Sequence, residues 1–115
     1  MNKIAIVAYS GEINNFVDAL ETALEKVHKG EEVKLIIEGE ATHCIKDILN
    51  SNSPYRFLYN EIKNSGIIDC ICETCSKHNG LDTFAKVEGF QLRGESYGHP
   101  SLINYSRNEY ELVFY

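Results

Sequence analysis

The chain is poor in several things, and each scarcity narrows what it can be. Lysine and arginine together number 11 against 17 acidic residues, for a formal net charge of −6. A protein that tracks phosphates needs a basic footprint, so nucleic acid is not an expected partner. No apolar run approaches the ~20 residues of a membrane-spanning helix. The opening MNKIAIVAYSGE has one lysine and a short apolar run, without the longer apolar region and small-residue cleavage site of a secretory signal. The expected location is therefore the cytoplasm, where thiols stay reduced. Proline occurs twice and tryptophan not at all in 115 residues. Neither a proline-rich linker nor a low-complexity tract is present, and the length suits one domain with a single core.

The residues that are present alternate between two periods. Lys3 to Ala8 (KIAIVA) is a nearly continuous β-branched run, the pattern of a strand buried on both faces. Ser10-Gly11-Glu12 breaks it. Ile13, Phe16, Val17, Leu20, Ala23, Leu24 and Val27 then recur at helical spacing, with Gly30 as C-cap. Val33 to Ile37 is a second strand. Ile45, Ile48 and Leu49 mark a short helix ended by Asn50-Ser51-Asn52-Ser53. Ser53-Pro54 reads as N-cap and first-turn proline of a helix bearing Tyr55, Leu58, Tyr59 and Ile62.

Ile67 to Cys72 is a third strand, followed by a short helix through His78. Asp82 to Lys86 reads as a helical turn and Val87 to Leu92 as a weak fourth strand interrupted by Gly89. Pro100 is placed to open a last helix with Leu102, Ile103 and Tyr105, and Leu112 to Tyr115 closes as a strand. Strand–helix alternation repeated about five times predicts an α/β fold. The expected architecture is one parallel, about five-stranded sheet with helices on both faces, in a flavodoxin-like order.

Ligands of such sheets bind where the strands' carboxyl ends meet. That edge is expected to collect Ser10 and Gly11, His43, Cys72 with Cys75, and the loop holding Arg93, Tyr97 and His99. Three of the four cysteines fall in IDCICETCSKHNG, Ile68 to Gly80. Alternation puts Cys70 and Cys72 on one sheet face, with Cys70 read as packing. Cys72 ends a strand and precedes a helix start, where a thiolate is favoured by the helix's unpaired N–H groups. The adjacent Glu73 opposes that effect. Two other readings of the stretch stand beside it. Cys70-x-Cys72-x2-Cys75-x2-His78 offers soft metal ligands but lacks a second C-x2-C pair. Cys72-Glu73-Thr74-Cys75 has thioredoxin-type spacing but lies late in the chain. No cofactor is expected.

The segments KIAIVAYSGE, VKLIIEGEA, GIIDCICETCSKHNGL and GESYGHPSLINYSRNEYELVFY together resemble the DsrE/DsrF-like sulfur-relay family over nearly the whole chain. The resemblance implies one DsrE/F-like domain spanning residues 1–115 and assembly into homotrimers or hexamers. It also implies a sulfur-receiving cysteine at the end of the third strand, here Cys72, which would carry persulfide between a donor and an acceptor protein. Cys75 would protect or resolve that persulfide, and the activity would be that of a sulfurtransferase or sulfur carrier. The alternative is a non-catalytic oligomeric or ligand-binding module of the same fold, or a Cys/His metal site.

Overall fold

The computed structural model describes residues 2–49 and 53–115. The opening apolar run forms β1 (Lys3–Ala8), and its 3.6-period successor forms α1 (Ile13–His28), ended at Gly30 in a left-handed conformation. After β2 (Glu32–Ile37) come α2 (Ala41–Leu49), α3 (Arg56–Ser65) and β3 (Ile68–Cys72). The chain continues through α4 (Glu73–His78), α5 (Asp82–Glu88), β4 (Leu92–Arg93), α6 (Leu102–Arg107) and β5 (Glu111–Phe114).

All four strand pairings are parallel, in the order β4-β3-β2-β1-β5. This is the expected flavodoxin-like class, a parallel sheet wound on both sides. The order itself differs from flavodoxin's own β2-β1-β3-β4-β5. Strand pairing is non-local, so nothing within a single segment encodes that difference.

Alternation along the strands divides the interior into two cores. Ile4, Ile6, Ala8, Leu35, Ile37 and Ile71 join the larger one with residues of α1, α2, α3 and α5. Ala5, Val7, Ile36 and Cys70 face Tyr105 of α6 and Tyr110 on the other side. One face thus carries most of the helices and the other carries α6. The arrangement follows from handedness. The steps from β1 to β2 to β3 to β4 all run one way across the sheet, so right-handed crossovers place their helices on one face. The return from β4 to β5 runs the other way and puts α6 on the opposite face.

Two local expectations differ from what forms. Val87 lies in α5 rather than in a strand and is largely exposed, and Gly89 caps that helix with φ +82°. The fourth strand is reduced to Leu92-Arg93. A left-handed glycine suits a helix end and interrupts a strand, so Gly89 decides the outcome. Pro100 is buried just ahead of α6, whose N-cap is Ser101. Similarly, α3 starts at Arg56, and the Ser53 hydroxyl accepts from the Tyr55 N–H in the preceding turn. Residues Asn50 to Asn52, expected to break the second helix, lie outside the described residues.

Candidate functional site

The reversal of connection direction has a geometric consequence. The chain leaving β3 enters α4 on the heavily covered face, where Asn79 donates to the Thr42 hydroxyl of α2. The chain leaving β4 crosses to α6 on the other face. Adjacent strands whose continuations part in this way leave a crevice at their carboxyl ends. Cys72 is the last residue of β3, and residues 94–99 fill the space beyond β4.

Those residues form a miniature hairpin. Ser96 and His99 exchange both backbone hydrogen bonds, at 2.9 and 3.0 Å, across Tyr97 and Gly98. Both central residues have positive φ, +56° and +88°, as a type I′ turn requires. The hairpin docks on α4 through the Thr74 N–H, which donates to the Gly98 carbonyl at 3.1 Å. It thereby lays His99 on the thiols. His99 Nδ1 is 3.2 Å from Cys72 Sγ and 3.8 Å from Cys75 Sγ. The same Nδ1 also lies 3.2 Å from Oε1 of Glu38, the residue after β2.

Backbone groups complete the arrangement. The Cys75 N–H points at Cys72 Sγ at 3.4 Å, so Cys72 is the N-cap of α4 through its sulfur. The Gly39 N–H points at Cys75 Sγ at 3.2 Å. Cys75 and His78 line a cavity of about 160 Å³ bounded also by Gly39, Glu40, Thr74 and Asn79.

Cys72 is not open to water, contrary to the expectation for a strand-end thiol; its exposure is 0%. Its surroundings are polar all the same, comprising an imidazole, a second thiol and the Gly98 carbonyl at 3.7 Å. Burial pushes the Cys72 thiol up to about 12, and the neighbouring Cys75 thiol and Glu38 carboxylate add to the rise, with only the Cys75 N–H opposing. The short helix α4 therefore does not produce the lowered pKa that a position at its start suggests. Desolvation is the larger effect.

The remaining sequence candidates are distributed elsewhere. Cys70 is packing, as read, with its sulfur 3.5 Å from the Tyr105 hydroxyl on the far face and its thiol pushed up to about 11 by burial. This removes Cys70 from the four-residue metal cluster read in the sequence. His78 keeps to the outer rim of the cavity, and His99 occupies the place by the sulfurs instead. Arg93 also belongs to the far face. It donates to Asp69 Oδ2 at 3.1 Å and to the Tyr105 hydroxyl at 3.3 Å.

Tyr97 stands fully exposed at the hairpin tip. His43 is exposed on α2. Ser10 accepts from the Glu12 N–H and the Asn15 amide, and Gly11 packs against Glu40. Of the expected binding residues, then, His99 is the one brought to the thiols. Glu38 and Gly98 were not anticipated. Glu38 had a legible signal, being a carboxylate directly after the apolar run VKLII. Gly98 had none short of the hairpin itself.

Gly98 offers a test of the lid. A Cβ there would lie 2.1 Å from Thr74 Oγ1, at a φ that L residues resist. Gly98→Ala is expected to cost about 1–3 kcal/mol and to lift the hairpin from α4. Cys72 should then alkylate faster in native protein, as read by peptide mapping. Unchanged labelling would mean that the hairpin does not cover the thiol.

These features define a doubly wound α/β protein with a thiol–imidazole–carboxylate cluster at the reversal of its sheet. No family model matches the chain. The chain is 32% identical over 91 residues to "Uncharacterized protein MJ0733" of Methanocaldococcus jannaschii, a stretch covering 79% of this chain and 72% of that protein. It belongs to the same family as that archaeal protein, whose name assigns no activity. Among the described residues no helix is long and apolar enough to cross a membrane.

Proposed function

We propose that the protein handles sulfur on the Cys72–Cys75 pair, taking a sulfane sulfur from a donor persulfide and passing it to an acceptor protein. The observation that carries this reading is the His99 Nδ1 atom 3.2 Å from Cys72 Sγ, with Cys75 Sγ beside it. A buried thiol needs a proton acceptor at hand to act as a nucleophile. An imidazole nitrogen in contact is such an acceptor.

The exchange balances without an oxidant. The protein thiol gives its proton to His99, and its sulfur attacks the outer sulfur of the donor's persulfide. The donor's S–S bond breaks as a new Cys–S–SH bond forms, and the donor departs as a thiol with the proton returned. Cys75 borders the cavity, so it is the sulfur that a donor meets first. Cys72 behind it holds the cargo after a second exchange of the same kind. Delivery to an acceptor reverses the order. A cytoplasmic location, protein donors and acceptors, and assembly of several copies belong to this reading. The resemblance read in the segment GIIDCICETCSKHNGL, together with the free Cys72 and Cys75 thiols, supports it.

The test is the mass of the metal-free, reduced chain after exposure to a low-molecular-weight persulfide. A gain of about 32 Da, one sulfur atom, is expected on the peptide holding Cys72 and Cys75. It should vanish in the Cys72→Ser/Cys75→Ser double variant. No gain, or a gain that survives in the double variant, would remove the basis for this function.

A further inference from the structure

The same crevice carries a second chemistry that goes beyond sulfur transfer. We propose that Cys72, Cys75 and His99 supply three ligands of a tetrahedral zinc site. Cys72 Sγ, Cys75 Sγ and a His99 ring nitrogen all lie within 4.8 Å of one another. The finer distances decide the matter. Zinc held at about 2.3 Å from sulfur and 2.0–2.1 Å from nitrogen sets a tetrahedral edge of about 3.5–3.6 Å for S to N. The two S to Nδ1 distances, 3.2 and 3.8 Å, bracket that edge. Glu38 Oε1 lies 3.2 Å from the same Nδ1 but does not join the cluster with both sulfurs, so it stands beside the three ligands rather than among them. The two sulfurs and Nδ1 thus stand near three corners of the polyhedron, and the fourth is left to solvent or an incoming donor.

The supporting shell fits as well. Each sulfur faces a backbone N–H, from Cys75 and from Gly39, which suits a metal-bound thiolate. Cys72 ends β3, Cys75 lies in the first turn of α4, and His99 is carried by the hairpin after β4. The 160 Å³ cavity beside Cys75 gives an ion a route to the pair. Two thiolates with an imidazole select a borderline-soft ion, and the tetrahedral spacing favours zinc over octahedral cations. Binding displaces the two thiol protons to solvent while His99 binds through neutral Nδ1. Zinc and sulfane sulfur are alternative occupants of one thiol pair, so a metal-loaded chain is held closed to sulfur donors.

The experiment titrates the reduced, metal-free full chain with Co²⁺ and then Zn²⁺. Expected are one equivalent bound, an intense tetrahedral visible spectrum with sulfur-to-cobalt charge transfer, its bleaching by zinc, and release of protons. Cys75→Ser and His99→Gln should each weaken affinity by more than the roughly 10- to 100-fold that loss of an outer-shell partner costs. His43→Ala and Cys44→Ala, on α2, should leave it unchanged. Circular dichroism confirms that each variant is folded, and His99, half-exposed, is the substitution least able to disturb the core. No tetrahedral spectrum, or one indifferent to both His99→Gln and Cys75→Ser, overturns the site. A chain that takes up sulfur but no zinc overturns this inference alone. One that binds zinc but accepts no sulfur overturns the transfer reading alone.

Discussion

In a Cys75→Ser background, where Cys72 must take sulfur directly, His99→Gln is expected to slow sulfur loading of the metal-free Cys72 thiol at neutral pH by about 10²- to 10⁴-fold, the range of a lost general acid–base group. The reasoning begins with burial. A thiol pushed up to about 12 is ionised in roughly one molecule in 10⁵ at neutral pH. Attack at a useful rate then depends on moving the proton during the reaction. The nitrogen 3.2 Å from the sulfur is the group in contact that can take it. Glutamine has similar length and keeps Cys72 covered, but it cannot accept the proton. Alanine would confuse the result, because it removes the base and the cover together. The variant's rate should also climb about tenfold per pH unit toward the thiol's own pKa, since only pre-formed thiolate then reacts. A stopped-flow or quenched mass assay across neutral pH reads both effects. Loading by His99→Gln at the parent rate would show that His99 is a cover and not a base.

The site's legibility in sequence was uneven for a physical reason. Cys72 could be placed at a strand end because the β-branched run before it is local. Cys70 could be assigned to packing by alternation alone, and its contact with Tyr105 agrees. The His99–Cys72 contact spans 27 residues and depends on the order of strands. It also depends on a two-residue turn at Tyr97-Gly98, which has a non-glycine residue at positive φ. Neither is a pattern within a window. His78, three residues beyond Cys75, was the natural choice of histidine by spacing. The fold set it outward and brought His99 in from the next strand's loop. The sequence left the Cys72 pKa undecided between the helix start and Glu73, and burial settles it upward for a related reason. Position at a helix start is written in the sequence, whereas complete burial under a distant hairpin is not.

The larger core gives the second of the two largest effects. Phe16→Ala is expected to destabilise the protein by about 3–5 kcal/mol, the range for truncating a buried aromatic side chain. Phe16 is 1% exposed and sits on α1 within the cluster that joins β1, β2, α2 and α3. A domain of this size holds about 5–15 kcal/mol in all, so the melting temperature should fall by roughly 10–25 °C. Val87→Ala is the matched control. Read as a strand residue, Val87 would pack on the sheet and its truncation would cost as a core deletion does. At 80% exposure on α5, its truncation should change stability by no more than about 0.5 kcal/mol. Denaturant unfolding of the two variants separates the alternatives. Comparable losses at both positions would return residues 87–92 to the sheet, and with them would go the two-residue β4 that leaves the hairpin free to cover Cys72.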